Sequence, residues 1–271
     1  MKKIFLLLSG ILLLTTTNLI AQESQTNKPQ LSLDAELGFL SVLSHRVQFG
    51  QDGTYFNYVE NGGQDVLFPF TRFSITFKPS PKNHWVFLYQ PLRLESSEVL
   101  NDAIRVDGQT FPAGTPMNFL YNFPFFRLSY LRILSDPDND LRFGIGASLQ
   151  IRNATINFAS ADGTLFRSNR NIGPVPALKF KLEKDWAEYY FLELEADGMY
   201  APISYLNGSD NKTIGSILDA NARMGYQVNK QMATYLNVRY LGGGALNEDE
   251  NDYTKNWLNF LTVSVGFRLT L

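Results

Sequence analysis

The 271-residue chain has no cysteine, which excludes disulfide staples, thiolate metal sites and lipid attachment through cysteine. It has no run of 18 consecutive apolar residues, which excludes a transmembrane helix. Charge of one sign is also missing: the formal net charge is −2, which gives no reason to expect a nucleic-acid partner. Proline is scarce and aromatic residues make up 14% of the chain, a balance that argues against disorder. There is no G-x-S-x-G elbow and no EF-hand spacing, and neither Gly144-x-Gly146 nor Gly242-Gly243-Gly244 has the form of a nucleotide loop. The sequence therefore points to no catalytic residue, metal or cofactor.

What is present begins with an export signal. Lys2 and Lys3 precede an apolar run from Ile4 to Leu14, and a polar stretch then leads to Ala21-Gln22. That is the layout of a cleaved secretory leader, its apolar run of about eleven residues being too short to span a bilayer. The reading divides the chain into a signal peptide over 1–21, a short N-terminal periplasmic segment over 22–30 and one all-β domain over 31–271.

Alternation with period two dominates that domain. Leu261, Val263, Val265, Phe267, Leu269 and Leu271 interleave with Thr262, Ser264, Gly266, Arg268 and Thr270. Phe143, Ile145, Ala147, Leu149 and Ile151 interleave with Arg142, Gly144, Gly146, Ser148, Gln150 and Arg152. Successive side chains of a strand point to opposite faces, so each segment has one apolar and one polar face. The pattern predicts strands over 31–49, 66–78, 84–95, 117–134, 141–158, 173–183, 187–203, 214–228, 231–244 and 257–271. Several exceed the usual length of a soluble strand and suffice for the about nine to eleven residues that a tilted strand needs to cross a membrane.

The connections alternate in length. Short ones fall at 79–83, 135–140, 184–186 and 229–230, and long ones at 50–65, 96–116, 159–172, 204–213 and 245–256. Short inner turns, long outer loops and an even strand count belong together in outer-membrane barrels. The expected fold is an antiparallel up-and-down transmembrane β-barrel of ten strands, eight and twelve being the neighbouring alternatives, with both termini on the short-turn side. Asp52-Gly53, Asp107-Gly108 and Asp162-Gly163 are hairpin-turn pairs, read as β-hairpin extensions above the membrane.

A soluble sandwich also alternates, but here charges recur at mid-strand positions opposite aliphatic and aromatic faces. Arg72, Arg93, Glu95, Arg127, Arg142, Arg152, Lys179, Lys181, Glu193, Glu195, Asp197, Asp219, Arg223, Arg239 and Arg268 form this set. It predicts a lumenal charge network, because charges in a poorly hydrated interior need partners. Trp85, Tyr89, Tyr121, Trp186, Tyr190, Tyr200, Tyr240 and Trp257 stand near strand ends, as aromatic girdles require. An odd turn centred on Asn229 sets Asp219 opposite Arg239 and Asn221 opposite Asn237, and so predicts an Asp219–Arg239 ion pair in the lumen.

The strings Phe87-Leu88-Tyr89-Gln90-Pro91-Leu92, Phe111-Pro112-Ala113-Gly114-Thr115-Pro116, Ile151-Arg152-Asn153-Ala154-Thr155-Ile156, Asn171-Ile172-Gly173-Pro174-Val175-Pro176 and Arg239-Tyr240-Leu241-Gly242-Gly243-Gly244 resemble those of an uncharacterised group of bacterial outer-membrane barrel proteins. The resemblance covers most of the mature chain and implies fold and location but no activity. The last strand also resembles the C-terminal signal read by barrel-assembly machinery, with Leu271 in place of the usual terminal aromatic residue. It implies outer-membrane lipids as surroundings, and barrel-assembly machinery and periplasmic chaperones as partners during biogenesis.

Two constellations invite a chemical reading. Glu193, Glu195 and Asp197 share one strand face at a spacing of about 7 Å, either as a cation site or as a charge ladder balanced by Lys179, Lys181 and Arg223. The second reading is preferred because the bases are at hand. Ser44-His45 could suggest a hydrolase, and His45, near the outer end of the first strand, is the better placed of the two histidines. Ten strands carrying inward charges of both signs should leave a plugged lumen. A structural or surface-binding barrel thus ranks first, a narrow porin-like channel for small solutes second and an outer-membrane hydrolase third.

Overall fold

The computed structural model describes residues 28–202, 212–248 and 253–271; the expected signal peptide over 1–21 and most of the expected periplasmic segment over 22–30 lie outside them. Among the described residues fifteen strands form in chain order. The first are β1 (Gln30–Phe49), β2 (Phe56–Asn57), β3 (Leu67–Ser80), β4 (Asn83–Gln90), β5 (Arg93–Val99), β6 (Ile104–Val106), β7 (Gln109–Phe111) and β8 (Pro116–Asn122). They are followed by β9 (Phe125–Ile133), β10 (Leu141–Ser160), β11 (Phe166–Asp185), β12 (Tyr190–Pro202), β13 (Lys212–Gln227), β14 (Met232–Glu248) and β15 (Tyr253–Thr270). One helical turn, α1 (Tyr58–Asn61), follows β2.

The wall is a closed antiparallel barrel of ten strands. β15 pairs with β1 from Ser32↔Thr270 to Phe49↔Thr254, which closes the ring. β4 and β5 form one wall strand, as do β8 and β9. Their shared break has a simple cause: Gln90 faces Phe125 and Arg93 faces Asn122, which sets Pro91 opposite Pro124, and neither can donate to the ladder. The described chain enters and leaves at the end with the short turns, where Leu271 N donates to Leu31 O at 2.8 Å.

One expected register needs correcting. β13 and β14 pair Asp219 with Leu241 and Asn221 with Arg239, so the turn is centred on Lys230 rather than Asn229. The Asn229 side-chain oxygen accepts from the amides of Gln231 and Met232 at 2.9 Å each, an Asx turn that takes Asn229 off the axis. A shift of two keeps every side chain on its face.

The polarity of the two faces exchanges part-way up the wall. In β10 the outward Phe143, Ile145, Ala147, Leu149 and Ile151 give way, at the same parity, to Asn153, Thr155 and Asn157, while inward Arg142, Ser148, Gln150 and Arg152 give way to Ala154, Ile156 and Phe158. β1 does the same: inward Asp34 and Glu36 are followed by Leu40 and Val42, and outward Leu37 and Phe39 by Arg46 and Gln48. A bulge between Val42 and Ser44 shifts the parity there. Below the exchange the barrel is apolar outside and charged inside; above it the order is that of a soluble protein. The apolar belt carries rings at its lower rim, with Trp85 on Tyr130 at 5.0 Å and Tyr190 on Tyr226 at 5.3 Å.

Hairpin β6–β7 turns through Asp107 and Gly108, both at positive φ, as the Asp-Gly pair predicts. The 50–66 connection does not rise as a hairpin. β2 pairs with β1 and α1 follows, so Phe56 and Tyr58 are buried in the upper interior, because their rings find the apolar lining there. Nor do Gly242–Gly244 end a strand; β14 runs through them, paired on both sides.

Candidate functional site

Two layers fill the lumen. The lower one is ionic. Arg239 of β14 donates from Nε and Nη2 to the two Asp219 carboxylate oxygens at 2.6 and 2.8 Å, and from Nη1 to Gln90 Oε1 of β4 at 2.6 Å. Arg127 of β9 reaches Asp197 of β12 at 2.9 Å and Asp219 of β13 at 2.7 Å, and donates to Gln150 Oε1. Arg239–Gln90 and Arg127–Asp219 join strands four apart in the ring order and Arg127–Asp197 strands three apart, so these bonds cross the barrel. All of these side chains are buried.

Beneath them Glu36 of β1 gathers Arg72 at 3.6 Å, Arg223 at 3.1 Å, Asn237 at 2.8 Å and Ser264 at 3.1 Å. The acidic triplet of β12 is fully engaged: Glu193 with Arg268 and Arg223, Glu195 with Lys179, and Asp197 with Lys179, Arg127 and Ser148. Lys181 with Glu183, and Arg142 with Glu183 and Asp185, complete the lower end. Carboxylates held in this way by bases leave no oxygen cluster for a metal ion, and among the described residues no group of acids and histidines has metal-binding geometry. Gly225 and Gly266 leave room for the inward rings of Phe191 and Tyr235, which lie where a Cβ would stand.

The structure thus brings Arg72, Arg127, Arg142, Lys179, Lys181, Glu193, Glu195, Asp197, Asp219, Arg223, Arg239 and Arg268 together. It does not bring in Arg93 and Glu95. Both lie on the outer face of β5, more than half exposed and paired with each other, because β5 stands above the exchange of polarity, where outward residues are polar. Arg152 faces inward but apart from the network, its guanidinium 4.7 Å from the centre of the Phe123 ring. Sequence reasoning missed Asp34, Glu36, Glu183, Gln90 and Gln150. Asp34 and Glu36 were within reach of it, for they share a parity opposite Leu33, Leu37 and Phe39.

The upper layer is aromatic. Phe158 lies 5.6 to 5.8 Å from the rings of Phe56, Tyr58 and Phe119, and within 6.4 Å of Phe49 and Phe111. His45 is buried here, stacked on Tyr58 at 4.3 Å, with Nδ1 2.7 Å from Gln64 Oε1. Ser44 pairs with Asn259 and His45 with Leu258, so the two side chains leave opposite faces of β1 and form no dyad. His84 lies at the other end, with Nε2 3.1 Å from Pro81 O. Above the belt, the Asp162 carboxylate accepts from Ser160 Oγ at 2.6 Å and from the amide and hydroxyl of Thr164. The Ser160 hydroxyl foremost, then Thr164, holds its pKa below the usual value.

A closed ten-strand antiparallel barrel with an apolar outer belt and an ionic interior is the architecture of the outer-membrane barrels. The outer membrane protease OmpT of Escherichia coli superimposes with a TM-score of 0.51 at 13% identity, over 89% of this chain and 97% of that one. Ail, the attachment invasion locus protein of Yersinia pestis, in complex with the heparin analogue sucrose octasulfate, gives 0.38 at 9% identity over 89% and 99%. The outer membrane protein OprG of Pseudomonas aeruginosa gives 0.36 at 8% over 90% and 97%. At these identities the likeness concerns the fold alone. No family model matches the chain, and no curated protein does.

Proposed function

We propose that this chain is an integral outer-membrane protein whose barrel is closed to solutes and whose role is structural or surface-binding. The observation that carries this reading is the set of bonds across the lumen, Arg239–Gln90 and Arg127–Asp219, topped by the aromatic layer around Phe158. A conducting pore needs a hydrated path lined by groups that bind ions weakly, whereas these charges satisfy one another and the space above them is apolar. The uncharged outward faces of β1 over 33–43 and of β10 over 143–151 support residence in lipid, reached by export with the leader over 1–21 and insertion by barrel-assembly machinery.

The experiment is planar-bilayer recording with the purified mature chain. The proposal expects a silent membrane under conditions in which circular dichroism confirms a folded barrel. A steady unit conductance would refute it and favour the narrow channel.

A further inference from the structure

The barrel wall has a gap. β11 pairs with β10 along its whole length, from Leu141↔Lys184 to Ala159↔Phe166. With β12 it pairs only from Leu178↔Gly198 downward, while β12 continues alongside β13 as far as Pro202↔Ile214. The ring is closed through these lower pairs; above Leu178 the facing edges of β11 and β12 are unpaired among the described residues.

The sequence holds this gap open. Because the ladder to β10 passes unbroken through Pro174 and Pro176, the donors these prolines lack belong to the other edge, the one turned to β12. Continuing the register upward would set Pro176 against Tyr200 and Pro174 against Pro202, which removes three of the four amide donors that could close the wall.

Behind the gap lies a cavity of about 630 Å³, within the roughly 300–1,000 Å³ of ordinary small-molecule sites. Its outer lip is Leu149, Ile172 and Pro176, at the upper margin of the apolar belt, and Val175 and Met199 line it within. Ile172 is 76% exposed. Arg152 stands at the inner end. Every other inward arginine has a carboxylate within 4 Å; Arg152 has none among the described residues, and its buried Nε has no hydrogen-bond partner. Among the described residues no acid offsets this charge, and an anion delivered by the ligand would offset it.

We infer that the gap between β11 and β12 admits a long-chain carboxylate sideways from the outer leaflet, its alkyl chain along Leu149, Ile172 and Met199 and its carboxylate on Arg152. This names a ligand class for the surface-binding role proposed above, on which it rests. One guanidinium and one narrow apolar slot match a single-chain monoanion.

The test is displacement of 11-(dansylamino)undecanoate by palmitate from the full mature chain in a neutral detergent, with hexadecanol as the uncharged control. The wild type should bind palmitate saturably and at least about tenfold more tightly than hexadecanol, as a charged hydrogen bond allows. Arg152→Gln should abolish that preference while leaving hexadecanol unchanged, with folding checked by heat-modifiable mobility. In a second variant, Pro176→Cys with Tyr200→Cys, oxidation should slow uptake from palmitate-loaded vesicles and reduction should restore it. Saturable binding that is equal for palmitate and hexadecanol, an unchanged preference in Arg152→Gln, or no binding to the folded wild type would each overturn the inference. A silent bilayer with no palmitate binding would sink the slot and leave the closed barrel standing; conductance with palmitate binding would do the reverse.

Discussion

Replacing Asp219 with alanine tests whether the lumenal charges are held by one another. Asp219 accepts two bonds from Arg239 and one from Arg127. Without it Arg127 keeps Asp197 and Gln150, whereas Arg239 keeps the neutral Gln90 oxygen and the rings of Phe125 and Phe260 and becomes a buried cation with no carboxylate on it. Removing one member of a buried pair costs about 3–5 kcal/mol. Arg127→Met is the contrasting case. It leaves Asp219 on Arg239 and Asp197 on Lys179 and Ser148, strands no charge, and should cost at most the roughly 1.5–3 kcal/mol of a charged hydrogen bond. Asp219→Leu combined with Arg239→Met removes both halves and should recover most of the loss, since apolar replacement of a whole buried pair is often neutral. Urea unfolding in lipid vesicles, followed by tryptophan emission and heat-modifiable mobility, measures all three. If Arg127→Met proves as damaging as Asp219→Ala, the pairing argument is wrong.

Two further outcomes follow from other parts of the barrel. Phe158→Ala removes the ring at the centre of the aromatic layer and should cost about 3–5 kcal/mol in the same assay; a loss below about 1 kcal/mol would mean that the layer is not packed. At the β10–β11 tip, the lowered pKa of Asp162 means that its ionised form stabilises the turn at pH above the unfolded value, a gain lost as pH falls through the folded one. An NMR titration of its carboxyl should show a higher midpoint in Ser160→Ala, and an unmoved midpoint would remove Ser160 as the main cause.

Much of the fold is legible in the sequence because period-two alternation is local. Ten segments, alternating connections and the Asp107-Gly108 turn could all be read without knowing any contact. Asp219 and Arg239 could be placed on one face, and they meet despite a turn centred one residue later, because the shift preserves parity. The exchange of polarity is present too, in the run from Ile151 to Asn157, but period-two alternation read with one polar face along each whole strand sets Arg93 and Glu95 in the lumen. What could not be read is non-local: the folding of Tyr58 into the interior, the bonds between walls and the isolation of Arg152 depend on which strands face one another once the ring has closed.

The central claim is that lipid meets the outer face of the wall up to Ile151 and water meets it beyond. The absence of native cysteine allows single spin labels to be placed at residues 145, 147, 149, 151, 153, 155 and 157 of β10 in lipid vesicles, with relaxation by oxygen compared against relaxation by a water-soluble nickel chelate. Oxygen should dominate through residue 151 and the nickel chelate from residue 153 onward. Nickel dominance at 145, 147 and 149 would contradict the account.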